Sequence, residues 1–385
     1  MNTRELLLAL LRYELSGDAP SAEVLALISS DEAEAIYALA KKHEVIAMAA
    51  HAMISLGVKT TQEMALKLQK QMMVAKHYYE CMNYEISEIG RVLSDAGIEH
   101  ILLKGATLRM HYPIPWLRTS CDVDILVREE RLEDACAILT EKLAYKQSGR
   151  TPHDIPFYAP SGVHVELHFT LLESEAVDER EAVLCEVWER TLSSEDKFRL
   201  RMTDEMFYYY HIVHMVKHFV TGGCGIRPFL DLWILTEKVS HDKAKREALL
   251  ERGGMKKFAE ASIELMRIWL EGTERTERSD MMENYIMYGG VYGNTENKVA
   301  VQQSKKGGKF SYAISRVFPP YRLMAHSYPI LLRRKWLLPF MYVRRWGRVV
   351  RRGRLSASIT ELKYNDSISE AQKNQTQKFL SDIGL

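Results

Sequence analysis

Three acidic residues in two short apolar stretches define the chemistry open to this chain. The run Ile101–Val127 reads ILLKGATLRMHYPIPWLRTSCDVDILV, and in it Asp122 and Asp124 flank Val123 at the entry to an apolar segment. In Val163–Phe169, VHVELHF, Glu166 stands between His164 and His168, and these three alternate with Val163, Val165, Leu167 and Phe169. Successive side chains of a strand point to opposite faces, so Asp122 and Asp124 share one face and Glu166 lies on the polar face of its own strand. Three carboxylates converging across neighbouring strands repel one another at close range. A divalent cation removes that objection. Asp and Glu oxygens with open water positions are the ligand set expected for Mg²⁺ acting on a phosphate-bearing substrate.

Other polar residues fall where they would serve such a centre. At Lys104-Gly105 the chain passes from strand to helix. A glycine there lets a phosphate approach closely, the free N–H groups of a helix start favour an anion, and Lys104 supplies a point charge for a triphosphate. The bland alternative is an exposed lysine before a tight turn. Arg118, just ahead of the D-x-D, is placed either to reach a phosphate or to clamp Asp122 as an ion pair. His164 and His168 either orient Glu166, contact substrate, or are surface histidines of a half-exposed strand. Further on, His214, Lys217 and His218 share one helical face. With Arg227 and Asp231 of the next helix they either line the far side of a cleft or form a buried, hydrogen-bonded helix–helix cluster. Their spacing lacks the acid of H-E-x-x-H, which argues against a zinc protease. Gly289–Gly293 does not sit between a strand and a helix and reads as a turn.

The elements that must position these residues follow from periodicity. Residues 1 to about 95 read as helical: Leu6, Leu7, Leu10 and Leu11 recur at helical spacing, Ser29-Ser30-Asp31 marks a helix start, and a long pattern from Thr61 to Leu93 ends at Asp95-Ala96-Gly97. From 98 to 170 strand and helix signals alternate. The spacing predicts strands over Ile101–Leu103, Val123–Val127 and Val163–Phe169, shorter strands near Tyr145 and Phe157, and helices over Ala106–His111 and Arg131–Leu143. From Asp178 to about Glu271 the pattern reads as helical throughout, with a break at Gly222–Gly225 and Pro228 in a first turn. Glu271–Gly308 reads as a partly ordered connection with an exposed loop over Asn294–Gly308, and the chain beyond Ile359 turns polar, as fraying ends do.

The ordered set LLKGATL, Arg118, D-x-D and E-x-H resembles the nucleotidyltransferase superfamily. More narrowly it is similar to an uncharacterised bacterial branch that carries Leu-Lys-Gly where better-known relatives carry Gly-Ser. The motif-bearing part covers Glu99–Phe169, and a looser similarity reaches the HMVKH (214–218) and GIRPFLD (225–231) segments. The resemblance implies an α+β fold, a nucleotidyltransferase-like mixed sheet with flanking helices, set between an N-terminal helical segment and a C-terminal helical region. The expected domains are a helical segment over 1–97, a catalytic core over 98–175, a helical domain closing the cleft over 176–275, and a basic region with linker and tail over 276–385. It also implies that Asp122, Asp124 and Glu166 bind two Mg²⁺ ions, that a nucleoside triphosphate is the substrate, and that an acceptor hydroxyl attacks its α-phosphate with release of pyrophosphate. Glu166 is then the natural proton acceptor, and His168, His214, Lys217, His218, Arg227 and Asp231 become candidate supporting or substrate-contacting residues. The acceptor stays open among a small molecule, a sugar, a protein side chain and an RNA end. So do two rival readings, a non-catalytic, antitoxin-like binding protein of the same fold and an RNA-modifying enzyme.

Bulk properties bound the rest. The chain has 385 residues, 46% hydrophobic and 27% charged, a composition typical of globular proteins and long enough for two or three subdomains. Its five cysteines (Cys81, Cys121, Cys136, Cys185 and Cys224) are scattered with no C-x-x-C, which fits a reducing compartment. Met1 is followed by Asn-Thr-Arg-Glu and a helical pattern rather than a leader, and no apolar run is long enough to span a bilayer. A cytoplasmic location is therefore expected. The net charge of +1 hides an asymmetry: between Glu296 and Glu361 there is no acid but fifteen Lys or Arg, which leaves 37 basic against 51 acidic residues elsewhere, a balance of −14. Within that interval, residues 331–354 interleave nine basic residues with Trp336, Phe340, Tyr342 and Trp346. Such a segment suits peripheral contact with an anionic membrane, nucleic-acid phosphates and bases, or the protein's own acidic helices.

Overall fold

The computed structural model describes residues 1–172, 178–193, 195–290, 317–319, 321, 324, 328, 330–351 and 370–385. They fall into two compact units. The first comprises Met1–Val216 and Gly225–Asp280, with Gly384; the second comprises Lys217–Cys224 and Met281–Ile383, with Leu385.

The first unit opens with five helices: α1 (Thr3–Ser16), α2 (Ala22–Ala26), α3 (Ser30–Lys42), α4 (Ile46–Ser55) and α5 (Gln62–Asp95). α1, α3 and α5 begin where the side chains of Asn2, Ser29 and Thr61, respectively, accept an otherwise unpaired N–H of the first turn; at Asn2 the pairing is reciprocal with Glu5. Leu6, Leu7, Leu10 and Leu11 bury the inner stripe of α1, which packs on α3 and α4. Gly97, at φ 65° in the left-handed region, turns the chain from α5 toward the sheet.

Then come β1 (His100–Leu102), α6 (Lys104–Leu108), β2 (Asp122–Val127), α7 (Leu132–Leu143), β3 (Lys146–Gln147), β4 (Asp154–Tyr158) and β5 (His164–His168). They are followed by α8 (Glu179–Leu184), β6 (Thr191–Ser193), β7 (Arg199–Met202), α9 (Asp204–Val220, which ends in the second unit), α10 (Arg227–Glu237), α11 (Lys243–Arg252) and α12 (Lys256–Glu271). The seven strands form one mixed sheet in the order β3-β4-β5-β2-β1-β7-β6. β2 lies between β1, antiparallel to it, and β5, parallel to it. The expected α+β architecture, a mixed sheet with flanking helices, is what the structure shows.

Alternation decides which side of the sheet is which. Val123, Ile125 and Val127 of β2 and Val165 and Leu167 of β5 turn to one face, where Met82, Ile86, Ile89, Val92 and Leu93 of α5 and Leu132, Ala135 and Leu139 of α7 cover them. Ile155 and Phe157 of β4 complete that core. The opposite face of β2 and β5 is left to Asp122, Asp124, His164, Glu166 and His168, with Leu126 buried beside His168.

Three expectations need correction. Asp178–Glu271 is not helical throughout, because β6 and β7 form a hairpin that extends the sheet beside β1. Four residues of alternation, Arg199-Leu200-Arg201-Met202, are too few to stand out between longer helical patterns. Part of Glu271–Gly308 is a regular helix, α13 (Glu277–Gly289), whose Met282 and Ile286 are buried. After α14 (Ile330–Arg333) and α15 (Leu338–Arg351), the polar tail beyond Ile359 carries α16 (Glu370–Asp382), with Phe379, Leu380 and the following Ile383 buried. Three apolar positions sufficed where composition suggested fraying. Within the second unit Phe219, Tyr285 and Phe379 form a ring cluster, and Tyr285 donates to the Phe219 carbonyl at 2.7 Å. The loop expected over Asn294–Gly308 lies outside the described residues, as does most of Gly289–Gly293. No helix among the described residues is long and apolar enough to cross a membrane.

Phe157 is fully buried where β4 meets α5 and α7. Phe157→Ala is expected to lower stability by about 3–5 kcal/mol, read as a reduced denaturation midpoint at unchanged slope.

Candidate active site

The site is a consequence of register. β2 and β5 run parallel with Asp122 opposite His164, Asp124 opposite Glu166 and Leu126 opposite His168. Asp124 and Glu166 are therefore direct cross-strand neighbours, an arrangement that destabilises a sheet unless cations intervene. Two protein cations do. Lys104 Nζ donates to Asp124 Oδ1 at 2.7 Å, and His168 Nε2 lies 3.0 Å from the same oxygen and 3.4 Å from Glu166 Oε2. His164 Nδ1 stands 4.0 Å from Glu166 Oε1. Lys104 reaches Asp124 from a strained backbone: its φ of 41° is left-handed, at the corner where β1 gives way to α6.

Electrostatics divide the site in two. Asp124 is buried; burial alone would raise its pKa, but the charges and hydrogen bonds of Lys104 and His168 hold its carboxyl far below the usual range. Those partners respond in kind. Against the cost of burial, Asp124 raises the pKa of Lys104, and hydrogen bonds to Asp124 and Glu166 lift His168 to about 9. Asp122 behaves oppositely: burial first, then the negative charge of Asp124, pushes it up to about 6. Surplus negative potential thus collects around the half-exposed Asp122 and Glu166. Donor atoms of Asp122, His164 and Glu166, and likewise of Asp124, Glu166 and His168, lie within 4.8 Å of one another. A carboxylate-rich set with excess negative charge fits a divalent cation.

A second, buried network supports this face. Arg118 expected Asp122 or a phosphate as its partner, but its guanidinium meets Asp231 of α10 through Nε to Oδ1 at 3.1 Å and Nη2 to Oδ2 at 2.7 Å. The Tyr112 hydroxyl donates to the same Oδ1 at 2.7 Å, and nearby on α9 burial lowers the pKa of His211, whose Nε2 pairs with the Pro228 carbonyl at 2.8 Å. Arg109, also buried, donates from Nε to the Gly105 carbonyl at 3.1 Å and from Nη2 to Ser120 Oγ at 3.0 Å. Gly105 makes room for this packing. A Cβ there would lie 2.6 Å from Arg118 Nη1 and 2.9 Å from Ser120 Cβ, so the close approach it permits is that of the protein's own side chains. Arg227 is tied to Glu44 at 2.5 Å and to the Thr119 carbonyl at 3.2 Å.

Lys104, Asp122, Asp124, Glu166 and His168 are thus brought together, while Gly105, Arg118, Arg227 and Asp231 hold the segment leading into β2. His214 is half-buried with its ring 6.2 Å from that of Tyr210, and Lys217 and His218 belong to the second unit. Tyr112, Arg109 and Ser120 were not anticipated. The only signal for Arg109 was its spacing four residues after Gly105, which does not reveal that an arginine turns inward.

Residues 29–271 match a family described as uncharacterised nucleotidyltransferase. The chain belongs to that family. The match spans the sheet, the carboxylate face and the Arg118–Asp231 network. No curated protein matches the chain. Among solved structures, that of the antibiotic-resistance factor ANT(2'')-Ia is similar over 52% of this chain and 94% of that one, at 10% identity and a TM-score of 0.26.

Replacing Asp231 by Asn would strand a buried guanidinium and is expected to cost about 3–5 kcal/mol. Burial opposes ionisation of Asp231, yet Arg118 keeps its pKa below the unfolded value. Its stabilising effect is therefore complete above the ordinary carboxylate titration near pH 4 and is lost as pH falls toward the folded value. Denaturation of wild type and Asp231→Asn from pH 7 downward should show their stability gap narrowing only below about pH 4.

Proposed function

We propose that this nucleotidyltransferase moves a nucleoside monophosphate from a nucleoside triphosphate to an acceptor hydroxyl, with release of pyrophosphate. The observation that carries the reading is the register of β2 and β5, which sets Asp122, Asp124 and Glu166 on one face beside Lys104. Asp122, Asp124 and Glu166 would hold Mg²⁺, two ions in the superfamily pattern. When bound, these ions neutralise charge on the phosphates and acidify an acceptor hydroxyl.

The chain's own groups account for the remaining work. Glu166, half-exposed at the rim, takes the proton of the acceptor hydroxyl as its oxygen bonds to the α-phosphorus. The bond from that phosphorus to the bridging oxygen breaks, and the electron pair leaves with pyrophosphate. Lys104 uses one N–H on Asp124 and keeps its others for a phosphate oxygen, since its side chain is 24% exposed. His168 fixes the rotamers of Asp124 and Glu166 by standing between them. The acceptor is a small molecule, a sugar, a protein side chain or an RNA end.

The test incubates purified protein and Mg²⁺ with each α-³²P-labelled nucleoside triphosphate and a bacterial lysate fractionated into small molecules, RNA and protein. Wild type should transfer label to one fraction, and chelation of the metal should abolish transfer. Asp122→Asn and Glu166→Gln should each lose about a thousandfold in rate, equivalent to ~4 kcal/mol of barrier, with thermal midpoints preserved. Transfer that survives Asp122→Asn at the wild-type rate would reject the assignment.

A further inference from the structure

We propose that α15 and the turn before it form a docking surface for anionic lipid bilayers. The inference stands on the second unit alone and does not depend on the nucleotidyl-transfer chemistry.

The helix is apolar on two sides. On the inner side Leu338, Met341 and Tyr342, together with Leu337, pack against Met324, Tyr328 and Leu331, and Tyr342 donates to the Pro319 carbonyl at 2.7 Å. On the outer side Trp336, Phe340 and Val343 are 66%, 63% and 73% exposed. Their spacing of four and then three residues puts them on one stripe, with Pro339 and Gly347 exposed beside them. Trp336 and Phe340 meet edge to face at 6.4 Å, so the aromatic end of the stripe is a continuous surface. A helix that served only to cover its own small core would carry polar residues here.

Charge borders the stripe. Arg344 and Arg348 are exposed on the helix, and their guanidinium carbons lie 5.9 Å and 5.0 Å from the Tyr328 ring. Arg333, Arg334 and Lys335 are exposed at the N-terminal approach. No Asp or Glu lies between Glu296 and Glu361 to offset them. An apolar stripe bordered by basic residues complements a bilayer, where the stripe enters the acyl boundary and the arginines meet phosphate headgroups. Fourteen residues of helix lying in the interface extend about 21 Å. A single-stranded nucleic acid asks for a different pattern, with cations along the middle and aromatic faces on which bases stack. Here Pro339, Val343 and Gly347, which offer no π-face, share the exposed strip with Phe340.

The full chain should be sedimented with vesicles of phosphatidylcholine alone and of phosphatidylcholine mixed roughly two to one with phosphatidylglycerol. Binding should be at least about tenfold stronger to the anionic vesicles and should weaken as salt is raised. Trp336→Ser combined with Phe340→Ser should reduce that binding about tenfold or more with an unchanged thermal midpoint, because both side chains face solvent. Arg344→Gln with Arg348→Gln should reduce binding to the anionic vesicles and leave the neutral ones unaffected. No sedimentation at low salt, equal binding by the Trp336/Phe340 variant, or capture of an RNA oligonucleotide without vesicle binding would each overturn the proposal.

Discussion

Like-charge crowding on one face of the sheet is the constraint from which the rest follows. Parallel pairing of β2 with β5 makes Asp124 and Glu166 neighbours, with Asp122 two residues away. A sheet tolerates this only if positive charge is brought to it. The fold meets the demand unevenly. Lys104 and His168 both converge on Asp124, the buried member, and stabilise it in ionised form. Asp122 and Glu166 stay half-exposed and under-compensated. Three carboxylates face two protein cations, so the resident ion pairs keep the carboxylate face assembled and leave net negative charge on it.

Buried arginines supply the mechanical support. Arg109 and Arg118 both crowd the Gly105 backbone, and burial together with the charge of Arg118 brings the pKa of Arg109 down to about 10. Two guanidinium groups so close would repel but for Asp231, which takes both a bidentate hydrogen bond from Arg118 and the Tyr112 hydroxyl. The glycine motif thereby serves packing within the protein as much as any approach by phosphate. Substituting Ala at 105 would push Arg118 away from Asp231 and loosen the strand that carries Asp122.

The carboxylate face was legible in the sequence because it depends on the strict two-residue period of a strand. Given two strands over 122–127 and 163–169, Asp122, Asp124, Glu166 and His168 had to project to the same kinds of surface. Lys104 was legible through its position at a strand-to-helix corner. The partner of Arg118 was not, because pairing across 113 residues depends on how α10 docks and no local pattern encodes that. The β6–β7 hairpin escaped for a related reason: strands of three and four residues give too short an alternation to outweigh the helices around them. At the C-terminal end, α16 shows that a polar composition does not exclude a helix when Phe379 and Leu380 within it, and Ile383 just after it, are buried.

The reach of the Arg118–Asp231 pair also sets an order of assembly. During synthesis Lys104, Asp122, Asp124 and Glu166 all emerge before α10, and β2 and β5, which carry the three acids, can already pair. At that stage Arg118 has no carboxylate, since Asp231 arrives only with α10. A guanidinium without its counter-charge resists burial, so the corner at Gly105 cannot close around it. The acidic residues are thus synthesised early and locked late, and the finished centre appears only when the helices downstream of the sheet have folded onto it.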